Sequence, residues 1–250
     1  MKSKIVQTIL RGAALCIMLL AFIGLANTTY DSYIYNHKGS SVVKITKTFA
    51  ERSGGTGFMV QAPSGKKYIL TNAHICAMGK TLVVKDFNGK KRLSSVYKVY
   101  KKHDLCLMNA VSNVPALKVA SNIQLREKVF LIGHPALRPL TKEAGHFVGR
   151  LNIRLLTKCS KFHRNILKKI WTKMPNIQGL IVMSRYRSKY CTKTRSSNHI
   201  NNIAYGGNSG SPVLNIWGNV VGVLYAGRRD QPTSSHTVPL KEIKEFLKDK

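Results

Sequence analysis

The chain has 250 residues, of which 44% are hydrophobic and 20% are charged, so it can bury a substantial core and is not a disordered polypeptide. Its 41 Lys and Arg against 10 Asp and Glu give a formal net charge of +31, which favours contact with anionic lipid, cell-wall polymers or nucleic acid. A lineage whose proteins are all rich in Lys and Arg would give the same charge without any such partner.

The N-terminus has the pattern of a targeting segment. Lys2, Lys4 and Arg11 precede an apolar run over residues 12–26 that ends in small residues, as in secretory signal peptides. The run is short for a membrane span, which needs about 20 residues. We predict residues 1–26 as a cleaved signal, with a retained membrane anchor as the alternative. The protein is then exported, to a periplasm or the extracellular space, or tethered to a membrane.

Short alternating or apolar stretches separated by Gly, Asn, Ser and Pro make up most of the remaining chain and predict β-strands. Examples are residues 41–48, 57–61, 67–71, 81–85, 105–111, 128–133, 213–217 and 220–225. Many short strands in succession indicate an all-β sandwich or barrel. A helix is predicted at the C-terminus, over 241–250, where Pro239 precedes apolar residues at helical spacing.

A basic segment over residues 152–202 contains no Asp or Glu, and we interpret it as an insertion or enlarged loop with a short helix around 162–173. Cys159 and Cys191 flank its centre and are candidates for a disulfide in an oxidising compartment. Cys106 lies in an apolar strand and is interpreted as a buried free thiol. No cluster of Cys and His has the spacing of a zinc site, and no metal or cofactor is expected.

Three stretches of the chain carry polar residues suited to hydrolysis. His74 ends the stretch Tyr-Ile-Leu-Thr-Asn-Ala-His, Asp104 opens an apolar strand, and Ser209 lies in Gly-Gly-Asn-Ser-Gly-Ser-Pro. Singly, each has an ordinary explanation, as a surface histidine, a turn aspartate or a flexible loop. Their occurrence together in one β-rich chain, in the order His, Asp, Ser, predicts a catalytic triad.

The chemistry explains these residue types. A serine hydroxyl is a weak nucleophile at neutral pH and needs an adjacent base. Histidine can take the proton from the hydroxyl and later return it to the leaving amine. A carboxylate holds the imidazole in the required tautomer. Backbone N–H groups must face the oxyanion that forms, and glycines around the serine allow the unusual dihedral angles that this needs.

The three blocks 71–74, 104–107 and 207–212 resemble the signature blocks of chymotrypsin/trypsin-like serine peptidases, and their overall pattern most resembles the bacterial HtrA-type branch. Three further stretches, 54–60, 220–227 and 236–240, resemble the strand before the catalytic histidine, the strand after the nucleophile and the terminal strand of that branch. The resemblance covers roughly residues 40–248.

The resemblance implies an all-β fold of two perpendicular six-stranded antiparallel barrels with a C-terminal helix. The peptidase domain would span 38–240, with an N-terminal barrel over about 38–115 and a C-terminal barrel over about 125–240. The active site would lie in the cleft between the barrels, with His74 and Asp104 from the first and Ser209 from the second.

The same matching assigns further roles. The N–H groups of Gly207 and Ser209 would form the oxyanion hole, and Tyr225, Ala226 and Gly227 would pair with the substrate backbone. Ile203 matches the base of the primary specificity pocket, which favours cleavage after small or medium apolar residues.

This sequence also departs from the family pattern. Asn208 replaces the aspartate that receives a new N-terminus in digestive zymogens, so no such activation is expected. Ser211 replaces the second glycine usual after the nucleophile. The chain ends at Lys250, and we therefore expect no PDZ domain of the kind common in the HtrA-type branch.

Three functions are compatible with these observations. The first is a serine endopeptidase acting on a protein or peptide substrate, and the intact triad favours it. The second is a protease-fold binding protein that docks on an anionic surface through residues 152–202. The third is nucleic-acid binding, supported by aromatic residues among the cations of that segment. Nucleic acid is the less favoured partner, because no known nucleic-acid module is present and a signal peptide would remove the protein from most nucleic acid.

Overall fold

The computed structural model describes residues 2–111, 114–158, 190–227 and 233–248. Within these ranges the apolar and alternating stretches form strands that close into two six-stranded antiparallel barrels, which confirms the predicted fold class. The strands of the first barrel are β1 (Val42–Thr46), β2 (Gly54–Gln61), β3 (Lys67–Thr71), β4 (Thr81–Lys85), β5 (Lys91–Tyr100) and β6 (Leu105–Asn109). They are hydrogen-bonded in the order β1-β2-β3-β6-β5-β4.

The second barrel is built from the C-terminal half of the chain. Its strands are β7 (Lys128–Gly133), β8 (Thr141–Lys158), β9 (Tyr190–Ile200), β10 (Pro212–Asn215), β11 (Val220–Gly227) and β12 (Ser235–Val238). They are hydrogen-bonded in the order β10-β11-β12-β9-β8-β7. A short 3-10 helix, Pro135–Leu137, follows β7.

The predicted basic insertion is partly an extension of the second barrel. The ladder between β8 and β9 continues without a break from Leu151 opposite Ser197 to Lys158 opposite Tyr190. The helix predicted around 162–173 lies outside the described residues.

An apolar core joins the two barrels. One cluster of buried side chains combines Phe58, Tyr68 and Leu70 of the first barrel with Phe130 and Val223 of the second. The segment that connects the barrels is bonded to both, because the N–H of residue 117 donates to β2 and that of residue 120 donates to β11, at N–O distances of 2.8 and 2.9 Å. This arrangement fixes the cleft between the barrels.

Helices lie at both ends of the described chain. The C-terminal helix, α3 (Leu240–Leu247), buries Ile243, Phe246 and Leu247 against the core that joins the barrels, close to the predicted bounds of 241–250. A four-residue helix, α2 (Ala73–Cys76), follows β3 and was not predicted.

The N-terminal segment forms a single helix, α1 (Lys2–Gly39), which continues past the predicted signal boundary at residue 26. Apolar side chains of this helix that include Leu15, Leu20 and Leu25 are exposed, whereas Ile34 is buried in the core. The hydroxyl of Tyr35 donates to the carbonyl oxygen of Leu140 at 2.9 Å and ties the end of the helix to the second barrel. Of the helices in the described ranges, none is both long enough and apolar enough to cross a lipid bilayer.

The cysteine chemistry differs from prediction at one position. Cys106 is not a free thiol: it forms a disulfide with Cys76, at a Cα–Cα distance of 6.5 Å. The apolar composition of β6 favours a buried thiol, but α2 packs beside this strand and brings Cys76 to Cys106. The predicted pairing of Cys159 with Cys191 lies outside the part of the chain whose side chains are described.

Candidate active site

The first barrel holds His74 against Asp104 through two contacts. His74 lies in α2 directly after β3, and its ring Nδ1 is 2.8 Å from Asp104 Oδ2. The backbone N–H of His74 donates to the other carboxylate oxygen, Oδ1, at 3.0 Å. A carboxylate at Nδ1 favours the tautomer with its proton there, which leaves Nε2 free to act as a base.

Asp104 is itself fixed at the start of β6. It adopts a left-handed conformation with φ of 59°, and the side-chain amide of Asn72 donates to its carbonyl oxygen at 3.0 Å. The disulfide between Cys76 and Cys106 joins the same two segments, each cysteine lying two residues beyond the histidine or the aspartate. The orientation of the pair is therefore set on both sides.

The turn that carries Ser209 requires glycine at two positions. Gly207 and Gly210 have φ of 92° and 87°, a region that L side chains rarely adopt. A Cβ on Gly207 would be 2.9 Å from Ala136 N, and a Cβ on Gly210 would collide with the carbonyl oxygen of Thr56. The glycines thus let the serine turn lie directly against its neighbours.

The amides of Gly207 and Ser209 are available to an external acceptor. Neither N–H donates to an acceptor among the described residues, whereas the carbonyl groups of the same two peptide units are held. The Gly206 carbonyl oxygen accepts from the N–H of Ala136, and the Asn208 carbonyl oxygen accepts from the amide three residues later at 2.9 Å. Two free N–H groups on fixed peptides are the arrangement that an oxyanion hole requires.

Thr56 of β2 joins the serine turn to the first barrel, and the sequence did not reveal this role. Its N–H donates to the Ser209 carbonyl oxygen at 2.8 Å, and its hydroxyl donates to the Gly207 carbonyl oxygen at 2.8 Å. The same hydroxyl accepts from the N–H of His134 at 3.0 Å. One fully buried threonine therefore contacts the serine turn at two points and the loop after β7 at a third.

The main chain at Ser209 lies close to the histidine segment. Both segments approach Gly55 of β2. A Cβ on Gly55 would be 2.7 Å from the Ser209 carbonyl oxygen and 2.6 Å from the side chain of Ile75, the residue after His74. Within the described residues, the Ser209 hydroxyl makes no hydrogen bond to His74. The structure thus brings the histidine and aspartate into contact, and places the serine turn nearby without joining it to the imidazole.

A lysine of the first barrel supports the loop beside the serine turn. The ammonium of Lys44 donates to the Leu137 carbonyl oxygen at 2.6 Å and to Glu51 Oε2 at 2.8 Å. Hydrogen bonds from Lys44 and then from Lys91 lower the pKa of Glu51 to about 2. Burial lowers the pKa of His134, in the same loop, to about 4, so this imidazole is neutral at physiological pH.

The end of β11 lies beside the serine turn, since the N–H of Gly210 donates to the Leu224 carbonyl oxygen at 2.8 Å. The ladder between β10 and β11 stops at Val223, and among the described strands none pairs with Tyr225, Ala226 and Gly227 on that edge. Tyr225 is buried, and its burial raises the pKa of the phenol. The loop that contains half-buried Ile203 lies against the end of β11. A Cβ on Gly227 would be 3.1 Å from the carbonyl oxygen of Ala204, the residue after Ile203.

Comparison with known proteins agrees with this architecture. The trypsin-like peptidase domain family matches residues 55–223 of the chain. The pro-apoptotic serine protease nma111 of Aspergillus fumigatus is 27% identical over 190 residues, which are 75% of this chain and 16% of the fungal protein. The chain therefore spans a small part of the length of that relative.

Solved structures show the same fold. The Rv3671c protease of M. tuberculosis in its active form has a TM-score of 0.61 and 21% identity, covering 86% of this chain and 82% of that one. The HtrA-type protease AlgW has a TM-score of 0.62 and 16% identity, covering 87% of this chain and 63% of that one. The serine endoprotease of Yersinia pestis has a TM-score of 0.59 and 16% identity, covering 88% and 66%. The family match extends over more than half of the residues of this chain. The chain therefore belongs to the family of trypsin-like peptidase domains.

Proposed function

We propose that the chain is a serine endopeptidase in which Ser209 is the nucleophile, His74 the general base and Asp104 the group that orients the base. The observation that carries the proposal is the double contact of the Asp104 carboxylate with His74, which leaves the imidazole Nε2 as the free basic atom. The unoccupied amides of the serine turn supply the second requirement, donors for an oxyanion.

The reaction proceeds in two stages. As a peptide binds, the Ser209 hydroxyl turns to His74 Nε2, which takes its proton while the oxygen attacks the substrate carbonyl carbon. The carbonyl oxygen becomes an oxyanion held by the N–H groups of Gly207 and Ser209. The intermediate collapses as His74 returns the proton to the leaving amine, and an acyl-enzyme remains. Water, deprotonated by His74, then attacks the ester and releases the acid.

The absence of a hydrogen bond between Ser209 and His74 in the free protein is compatible with this sequence of steps. Catalytic hydrogen bonds are often long or misaligned before substrate binds and tighten in the complex. We expect the serine side chain to rotate about its Cα–Cβ bond toward Nε2 when the substrate binds.

The substrate would bind as an added strand along Tyr225, Ala226 and Gly227, because this edge of β11 has main-chain groups available for pairing. Ile203, in the adjacent loop, would form the apolar floor of the pocket for the residue before the cleaved bond. Small or medium apolar residues are the proposed preference at that position. Export from the cytoplasm is proposed from the basic and apolar pattern of the N-terminus. Docking on an anionic surface through residues 152–202 is a separate prediction, which is based on the charge of that segment.

A fluorophosphonate probe tests the proposal without knowledge of the substrate, because it reacts only with an activated serine. We expect labelling of the folded wild-type protein and none of Ser209→Ala. The variant Ser211→Ala, which removes a buried hydroxyl two residues away, is the matched control and should be labelled. Folded wild-type protein that is not labelled would favour the binding function over the enzyme.

A further inference from the structure

A guanidinium lies beside the carboxylate of the proposed triad. Arg195 of β9 places its Nη1 3.7 Å from Asp104 Oδ2, and the two side chains are 10% and 13% exposed. Oδ2 is also the oxygen that contacts His74 Nδ1 at 2.8 Å. One carboxylate oxygen is therefore shared between a histidine of the first barrel and an arginine of the second.

An aromatic ring also lies against the guanidinium. Arg195 Cζ lies 4.9 Å from the ring centroid of Tyr225, a distance typical of a cation–π contact. Within the described residues the buried Nε of Arg195 has no hydrogen-bond partner. Among the described residues, the cation is thus held by the Tyr225 ring and by the charge of Asp104.

The other charged groups around Arg195 are weaker partners. His103, on the segment before β6, is influenced electrostatically by Arg195, Lys102 and Glu242 of α3, and burial lowers its pKa. Among the described carboxylates, only that of Asp104 forms an ion pair with Arg195. An arginine stays protonated at any working pH, so its charge acts continuously on the triad.

We propose that Arg195 is a positioning residue that acts through Asp104, holding the carboxylate in place and opposing the positive charge that His74 acquires during catalysis. The proposal rests on the proposed function, since the effect passes through the triad. A carboxylate can accept several hydrogen bonds or ionic contacts at once, so Arg195 can hold Asp104 without displacing His74. The permanent cation competes electrostatically with the imidazolium for the same negative charge, which shifts the active range of the enzyme toward lower pH.

The test measures the second-order rate of fluorophosphonate labelling of Ser209 as a function of pH in the full chain. In Arg195→Met, which keeps most of the side-chain volume but loses the charge, we expect the acid-side midpoint to rise by about half a pH unit to one unit. Arg195→Lys keeps a cation and should stay within about 0.2 units of the wild type. Arg150→Met makes the same chemical change at an exposed position of β8 and should have the wild-type midpoint.

The outcomes separate this proposal from its alternatives. An acid-side midpoint in Arg195→Met equal to that of the wild type, in folded protein, would overturn the role of Arg195 while leaving the proposed function intact. If Arg195→Met does not fold, Arg195→Gln provides the same comparison with a smaller polar side chain. A purely structural role would lower the stability of the variants and leave the midpoint unchanged. Failure of the wild-type protein to label at all would instead count against the proposed function.

Discussion

Replacing Thr56 with valine should separate the support of the oxyanion hole from the fold of the barrels. Valine has the shape of threonine, so the substitution removes the hydroxyl and little else. That hydroxyl donates to the Gly207 carbonyl oxygen at 2.8 Å and accepts from the His134 N–H at 3.0 Å. Both partners belong to the second barrel. In Thr56→Val the Gly207 carbonyl oxygen loses its donor and the His134 N–H loses its acceptor.

The expected magnitude follows from these two contacts. A buried polar group left without its partner costs about 1–3 kcal/mol. The serine turn can recover part of that cost only by moving the Gly207 carbonyl group, and this movement would displace the two neighbouring peptide units, whose N–H groups form the proposed oxyanion hole. Loss of one oxyanion donor costs on the order of 3 kcal/mol in the transition state. We therefore expect fluorophosphonate labelling of Thr56→Val to be about 10- to 100-fold slower, with the free energy of unfolding lowered by about 1–2 kcal/mol.

Labelling rates and urea unfolding, measured on the same preparations, check this expectation. Thr56→Ser keeps the hydroxyl and should label at nearly the wild-type rate. Thr46→Val removes a buried threonine hydroxyl whose bond, to the Thr48 carbonyl oxygen, stays within the first barrel, and it should lose stability without losing reactivity. Folded Thr56→Val that labels as fast as the wild type would refute the reasoning.

Two further substitutions test the serine turn and the charge cluster. Gly210→Ala should lower the free energy of unfolding by at least about 2 kcal/mol, because it places a Cβ at φ of 87° against the Thr56 carbonyl oxygen. The control is Gly206→Ala, since a Cβ at that position meets open space. Glu51→Gln should lower the free energy of unfolding by about 1–2 kcal/mol at pH 7 after allowance for solvent screening. Because ion pairing with Lys44 lowers the pKa of Glu51 from its ordinary 4.5 to about 2, this stabilisation is complete above pH 4.5 and disappears as the pH falls toward 2. Urea titrations at several pH values measure it, and a wild-type–mutant difference that stays constant down to pH 2 would contradict it.

The predicted strands were those with strong apolar patterns. Residues 67–71, 81–85 and 128–133 were predicted with the bounds that the structure has, since their side chains are buried almost throughout. β5 was not predicted, because its side chains alternate between partial and full exposure and give no apolar signal. The outer parts of β8 and β9 were assigned to a loop because basic residues recur through both of them and their ladder partners lie far along the chain.

The residues that support the site were harder to predict than the triad candidates. His74, Asp104 and Ser209 lie in local patterns with recognisable chemistry, but Thr56 and Arg195 act through contacts made only when the barrels pack. The Thr56 hydroxyl bonds a residue 151 positions away, and no local sequence pattern encodes such a distance. Its place between glycines in the strand before the histidine was the only available signal.

The position of these contacts implies that reactivity depends on how the two barrels are docked. The histidine and aspartate are held within the first barrel, by the Asn72 amide and by the disulfide. The serine turn, in contrast, also depends on the other barrel, through the bonds of Thr56 to the turn and through the bond from Lys44 to the Leu137 carbonyl oxygen beside it. A small separation of the barrels would therefore keep the contact between His74 and Asp104, but it would release the serine turn from Thr56 and draw Arg195 away from Asp104. Since local openings cost less free energy than global unfolding, the serine turn is the part of this site that should lose its geometry first.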